Sequence, residues 1–273
     1  TYVNSLISCI ENQTVKPDFT ILIDSSDDDI YKENQARASS STLEDISIIR
    51  SKVSSASFQR NIGIAQVIDH SKFILMLDDD VSIPNDTIAK IHKVIEEIDN
   101  EYGGVGMNLE SEAPGCFAKI KNNLFFDKLG LYPSNFGGVS KSGWQGRIHY
   151  TEVDSDVSWL TTSAVLWRSK AIQSIRFNES FKKYSYLEDL DFSLTVNRNY
   201  KLMISSILNY SHLNAPEGRV SSDWFGEIEF KNRLIIVNDH KLSILCCWIM
   251  ICIRFSLTAL LCLYKPQEFI PRL

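Results

Sequence analysis

The chain has 273 residues, 44% of them hydrophobic and 23% charged, which excludes a disordered or fibrous protein and leaves room for one large α/β domain or two small ones. A net charge of -6 and a pI of about 5.4 exclude a general nucleic-acid binder, because a duplex-binding surface needs concentrated Lys and Arg. Six cysteines (Cys9, Cys116, Cys246, Cys247, Cys252 and Cys262) show no paired CxxC spacing, so neither a disulfide framework nor a zinc site is expected and a reducing, cytoplasmic compartment is.

Val3, Leu6, Ile7 and Ile10 fall at helical spacing between Tyr2 and Asn12. Lys16-Pro17 breaks the pattern ahead of a strand from Phe19 to Ile23. A second strand is predicted at Ile46 to Ile49, then a helix from Ser57 to Ile68 with Ser57 as N-cap. The strand Phe73 to Leu77 ends on Asp78-Asp79-Asp80, after which Pro84 and the stripe Ile88, Ile91, Ile95, Ile98 predict an amphipathic helix. Gly103 to Leu109 reads as a core strand, followed by about forty residues of weak pattern, a length that points to a functional or mobile loop. Regular pattern returns with a strand at Trp159 to Trp167, helices near Ser169 to Ile175 and Leu187 to Asn199, and a strand at Leu202 to Leu208. Strands alternating with helices at this pitch predict an α/β fold, a mostly parallel sheet flanked by helices.

From Leu242 to Tyr264 the chain is almost continuously apolar, interrupted by one charge, Arg254. The length suits a membrane span, but a central Arg costs roughly 2.5–3.5 kcal/mol on insertion. An interfacial helix or a buried packing helix satisfies the same pattern, and Lys241, Arg254, Lys265 and Arg272 suit contact with anionic lipid.

Ligands in open α/β sheets bind beyond the carboxyl ends of the strands, where the acidic triplet lies. Three adjacent carboxylates repel one another, and a divalent cation with oxygen ligands, Mg2+ or Mn2+, relieves that repulsion. In an extended segment Asp78 and Asp80 point to one side and can share an ion; a solvated strand end beside a helix N-terminus accounts for the same residues. Glu188-Asp189 opens a predicted helix, either as ordinary N-terminal charge or as a carboxylate able to deprotonate a hydroxyl. His212 ends a strand, as a surface histidine or as a ligand.

Taken in order, these segments resemble family-2 glycosyltransferases of the GT-A fold. Tyr2 to Thr14 is similar to the family's first helix ending in Asn-Gln-Thr; Asp24 follows the strand that ends at Ile23; Gln59-Arg60-Asn61-Ile62-Gly63 resembles the Arg-Asn-x-Gly helix start. Leu77-Asp78-Asp79-Asp80 looks like the DXD motif, Glu188-Asp189 matches the ED motif, and His212 matches a histidine that some members use as a metal ligand. The resemblance implies donor contacts from Asp24, Arg60, Asn61, Asp78 and Asp79, a Mn2+ or Mg2+ ion held by Asp78, Asp80 and His212, and Asp189 as general base. It places acceptor contacts at Trp159, Thr162 and Glu188, with Trp144, Arg147 and His149 in a loop able to close over donor. The implied reaction is inverting transfer from a nucleoside diphosphate sugar to a glycan or lipid-linked acceptor in surface polysaccharide synthesis, at the inner face of the cell membrane and without nucleic acid. Residues 1–239 form the implied catalytic domain and 240–273 an apolar membrane-associating or packing tail. The family's first strand, normally ahead of Tyr2, is absent, and with Thr1 in place of an initiating Met this suggests a missing upstream piece. An inactive nucleotide-sugar scaffold and a sugar-nucleotide nucleotidyltransferase remain as alternatives.

Overall fold

The computed structural model of the chain describes residues 2–110, 124–182, 185–213 and 222–263. Cys116, Tyr264, Lys265 and Arg272 lie outside the described residues.

Helix α1 (Tyr2–Glu11) buries Leu6, Ile7 and Ile10, the stripe its sequence spacing predicts. After the Pro17 turn comes β1 (Thr20–Asp24), then α2 (Asp28–Ser39) and β2 (Ile46–Arg50), which pairs β1 in parallel from Thr20↔Ile46 to Asp24↔Arg50. Helix α2 has no counterpart in the sequence reading. It buries only Asn34 and Ala38, so no apolar period marks it, and it is fixed by end charges, Asp28 and Asp29 in the first turn and Arg37 in the last. Glu11 accepts both Arg37 guanidinium nitrogens and the Ser41 hydroxyl, tying α1 to the end of α2.

Helix α3 (Ala56–Val67) leads to β3 (Phe73–Leu77), the two-residue β4 (Val81–Ser82), α4 (Thr87–Glu97) and β5 (Tyr102–Leu109). The second half holds α5 (Leu124–Lys128), β6 (Ser155–Val157), β7 (Ala164–Arg168), α6 (Ser169–Ile172), α7 (Glu188–Val196), β8 (Lys201–His212), α8 (Ser222–Asp239) and α9 (Ile244–Cys262). The main sheet runs β3-β7-β5-β8-β4, with β6 also on β8.

The expected α/β architecture is present, but the strand directions are mixed. Strands β3 and β5 both run antiparallel to β7, and β5 runs parallel to β8, so three strands share one direction and β7 is reversed among them. The parallel expectation rested on strand–helix alternation, which the long segment between β5 and β7 interrupts, letting β7 enter from the opposite end. The strand expected from Trp159 begins only at Ala164; residues 159–163 form the turn that lies against the site.

The sheet is covered on both faces. Leu6, Ile10, Ile91 and Val94 meet Val105, Met107, Ala164 and Leu166 on one side. Ile64, Ile172, Phe192 and Val196 meet Val165, Trp167, Leu202 and Ile204 on the other. Strand β5 has Gly103-Gly104-Val105-Gly106, and its glycines are a packing requirement: a Cβ on Gly104 would fall 2.5 Å from the Trp167 ring, and one on Gly106 would fall 2.6 Å from Ile204. Among the described residues β1 pairs only with β2 and β3 only with β7, and all five β3 residues stay half-buried.

Helix α9 is long and apolar enough to cross a membrane, and only 17% of its most apolar stretch is buried. Ser243 caps it by accepting the Cys246 amide.

Candidate active site

Three successive residues of α3 point in three directions, as the 100° step of a helix requires. Gln59 donates to the Ile23 carbonyl at 3.0 Å and anchors the end of β1. Arg60 enters the site. Asn61 is occupied elsewhere: its amide nitrogen donates to the Phe177 carbonyl at 2.9 Å and to Glu179, while its oxygen accepts the Phe177 amide at 2.8 Å. Asn61 thus fixes the turn that stacks Phe177 on Phe192, with ring centroids 4.0 Å apart.

The N-cap of α3 is Ser55, two residues earlier than the Ser57 of the sequence reading. Ser57 is fully buried, and its amide donates across the fold to the Ser185 hydroxyl, which also lies 3.1 Å from the Ser55 hydroxyl. This bond joins the start of α3 to the approach to α7. Ser185 and Leu187 both take left-handed backbone, φ 52 and 72. For a buried leucine that conformation costs roughly 1–2 kcal/mol, and it turns the chain so that Glu188 and Asp189 begin α7 facing Arg60.

Arg60 is the hub. One guanidinium nitrogen donates to Asp78 Oδ1 at 2.8 Å and another to Glu188 Oε1, and the group lies over the Phe177 ring. Burial alone would lower the Arg60 pKa, but Asp78 and Glu188 outweigh it and raise it. Glu188 also accepts the Thr162 hydroxyl at 3.1 Å and the Asp189 amide at 2.8 Å. Burial, and next the Glu188 charge, push Asp189 up to about 8. Burial raises Glu188 as well, against the pull of Arg60. The donors on Glu188 make it the ionised member of the pair, and Asp189 the one that exchanges a proton near neutral pH.

Asp78, Asp79 and Asp80 occupy the turn from β3 to β4, held where Asp78 donates its amide to the Ser163 carbonyl and Leu213 donates to the Asp80 carbonyl. Pairing of β4 with β8 sets Val81 opposite His212 and leaves His212 Nδ1 3.2 Å from Asp80 Oδ2. A carboxylate and an imidazole facing each other suit a divalent cation such as Mn2+. Among the described residues no three such groups converge; Asp78 is held by Arg60 on the other side of the turn. The Asp79 carboxyl is raised, by desolvation and then by the Asp80 and Asp78 charges.

Asp24 ends β1. Its two oxygens accept the Ser26 amide at 2.7 Å and Asn34 Nδ2 at 2.9 Å. Burial raises its pKa, but these bonds outweigh that and hold the carboxyl below its ordinary value. Trp159 donates its indole N–H to the Gly146 carbonyl, and with Trp144 and Arg147 it lines a cavity of about 540 Å3 beside the Thr161 and Ser163 turn. His149 packs edge-on against Phe136. The structure therefore brings together Arg60, Asp78, Thr162, Glu188 and Asp189 as one cluster and Asp80 with His212 as another, and it turns Asn61 away from both.

Sequence reasoning missed two supports. Gln13 is buried and donates to the Pro84 carbonyl at 2.8 Å while accepting the Ile88 amide, so the Asn-Gln-Thr segment braces the turn after the triplet. Glu229 bonds both Arg233 and Arg254; the i,i+4 spacing of Glu229 and Arg233 was a legible signal for the first pair, and none marked the second.

No protein-family model matches the chain, and no curated protein does. Its fold is similar to that of solved glycosyltransferases. S. aureus TarS 1-349 in complex with UDP-GlcNAc superposes with a TM-score of 0.53 at 14% identity, over 86% of this chain and 62% of that one. GalNAc-T7 with UDP, GalNAc and Mn2+ gives 0.54 at 11% identity, over 80% and 41%. The mannosyltransferase PcManGT from Pyrobaculum calidifontis with GDP-Man and Mn2+ gives 0.56 at 12% identity, over 97% and 77%. The chain spans less than two thirds of the length of the TarS and GalNAc-T7 chains. At these identities the likeness is one of architecture: this chain has the GT-A fold that these nucleotide-sugar glycosyltransferases share.

Proposed function

We propose that the protein is a metal-dependent, inverting glycosyltransferase of family-2 type, moving a sugar from a nucleoside diphosphate to an acceptor hydroxyl on a glycan or lipid-linked molecule. The observation that carries this reading is Asp189, a half-buried carboxylate whose pKa is pushed up to about 8, held beside the Arg60–Glu188–Asp78 cluster on a fold shared with nucleotide-sugar transferases.

The acceptor oxygen forms a bond to the anomeric carbon as the bond from that carbon to the diphosphate oxygen breaks, the electron pair leaving with the diphosphate and the proton passing to Asp189. A single displacement of this kind inverts the carbon and needs no covalent enzyme intermediate. Arg60 and Thr162 hold Glu188, and Glu188 holds the start of α7, so these residues position the base. Asp80 and His212 would hold a divalent cation, with Asp78 able to join when Arg60 pairs with donor phosphate instead. Such a cation supplies positive charge against the departing diphosphate. Asp24 and Asp79 lie on the donor side, at the ends of β1 and β3. A role in surface polysaccharide synthesis at the inner face of the cell membrane accords with the exposed apolar surface of α9.

The test is Asp189→Asn assayed with nucleoside diphosphate sugars. The variant loses at least about a thousandfold in transfer rate yet keeps the thermal stabilisation that nucleotide and Mn2+ give the wild type. Undiminished transfer by this variant would contradict the base assignment.

A further inference from the structure

A second cavity, of about 530 Å3, opens at the other end of the sheet. It lies where β3 begins at Phe73, where β7 ends at Arg168 and where α6 follows with Ser169 and Lys170. The acidic triplet follows the opposite end of β3, about 16 Å away at the rise of an extended strand. This cavity is therefore separate from the candidate active site.

Its lining holds several unused donors. The Ser71 and Ser169 hydroxyls are both buried and have no hydrogen-bond partner among the described residues. Ser169 is only 5% exposed, and its amide donates to the Lys72 carbonyl at 3.0 Å, which sets it against the Ser71–Lys72 segment. Arg168 is fixed in place: Nε donates to the Tyr102 carbonyl at 3.0 Å, Nη2 donates to the Asp99 carbonyl, and the guanidinium lies over the Phe73 ring. Its remaining nitrogen, Nη1, makes no bond among the described residues. A buried hydroxyl without a partner is costly, and two on one cavity wall mark a place where a ligand supplies the acceptors.

Charge points the same way. Lys72, Arg168 and Lys170 line the cavity against a single carboxylate, Asp69. Neither lysine has an ion-pair partner among the described residues, although the chain as a whole carries a net charge of -6. Each unused group can donate, and three cations against one carboxylate leave a positive excess. The complement is a group with two negative charges and several acceptor oxygens. A phosphate monoester carries about two charges and three such oxygens near neutral pH. A carboxylate carries one charge on two oxygens and leaves donors unmet. Bare phosphate would fill only part of a cavity this size, whereas Ile68 and Tyr200 give an organic group surface to rest on.

We propose that this cavity binds a small organic phosphate monoester, its phosphate held by Ser169, Lys72, Lys170 and Arg168 and its organic part lying toward Tyr200. The inference does not depend on the transferase reading.

Isothermal titration calorimetry with glucose 6-phosphate, glycerol 3-phosphate and phenyl phosphate tests it, with glucose and inorganic phosphate as controls. At least one of the esters binds saturably, glucose does not bind, and inorganic phosphate binds at least about tenfold more weakly than that ester. The double variant Lys72→Gln, Lys170→Gln weakens the ester at least about tenfold. Ser169→Ala weakens it about fivefold without lowering the melting temperature, because the hydroxyl has no partner to lose. Asp80→Asn, beyond the far end of β3, leaves the ester affinity unchanged. A folded protein that binds none of the three esters overturns the proposal. So does an affinity that the double lysine variant leaves unchanged, since the anion then sits elsewhere. Inorganic phosphate bound as tightly as the ester refutes the organic ligand, and loss of ester binding in Asp80→Asn places the ester in the other site and refutes this one.

Discussion

Replacing Arg60 by Met keeps the length and apolar stem of the side chain but removes the cation between Asp78 and Glu188. The side chain is only 16% exposed, and the Glu188 side chain it meets is 9% exposed. Breaking a buried pair by removing one partner costs about 3–5 kcal/mol, because the other charge is left uncompensated. The cost depends on pH in a direction the structure fixes. Glu188 and Asp189 are already raised by burial. Without Arg60 their folded-state values rise further, while their unfolded values stay at 4.5 and 3.8. Below those unfolded values both groups are neutral in both states and the loss of Arg60 is nearly free. Because both proteins share one unfolded reference, they part only where a group ionises in the folded wild type: once Glu188 does so beside Arg60, the variant must hold it protonated or bury it uncompensated, so the cost develops as pH rises toward about 8, and the Asp189 share is added above that. Urea denaturation of wild type and Arg60→Met therefore shows a difference below about 1 kcal/mol near pH 4 that grows to about 3 kcal/mol at pH 8. A deficit of the same size at both pH values would refute the reasoning, since it would mean that Arg60 stabilises by packing alone.

Gly104→Ala destabilises by about 1–3 kcal/mol in the same measurement, through overpacking against the Trp167 ring 2.5 Å from the new Cβ, whereas Gly63→Ala, 3.6 Å from its nearest neighbour, changes stability by less than about 1 kcal/mol. Glu11 is held down to about 2, first by its bonds from Arg37, so Glu11→Gln costs about 2 kcal/mol at pH 7. That contribution is present above pH 4.5 and fades as pH falls through about 2, so the two proteins converge in acid unfolding. If Asp189 is the base, the transfer rate at subsaturating substrate rises with pH toward a plateau above about 8, and a pH-independent rate between 6 and 9 would count against it.

Where a segment buries an apolar face, its sequence declared it. Helices α1 and α4 and strands β1, β2, β3 and β5 fall within a residue or two of their expected positions, and apart from β1 their apolar residues belong to one core cluster. Helix α2 stayed hidden because it packs through Asn34 and Ala38 and is stabilised by charges at its ends. Strand β7 was seen, but its direction was not, because direction follows from where the intervening chain re-enters the sheet and not from any local pattern.

The site divides along the same line. Acidic residues at a strand end and a helix start were legible as chemistry, and the structure does bring Asp78, Glu188 and Asp189 around Arg60. Which neighbour of Arg60 shares its task was not legible: Asn61 looked equivalent in the motif, yet the helical step turns it onto Phe177 and Glu179. The left-handed turn at Ser185 and Leu187 carries no glycine to announce it and is imposed by the packing of Leu187 against Phe181, Leu190 and Ile236. Arg254 read as a cost within an apolar helix, and only tertiary structure supplies Glu229 to meet it.

The most direct test of the account is thermal stability of the folded protein with UDP, GDP, dTDP and CMP, each with and without Mn2+. A ligand that binds only the folded state raises its apparent stability, by about 2.7 kcal/mol at a hundredfold excess over its Kd. The account predicts a shift that requires one nucleotide and the metal together, and that Asp80→Asn loses. A folded protein that shifts with none of the four would contradict it.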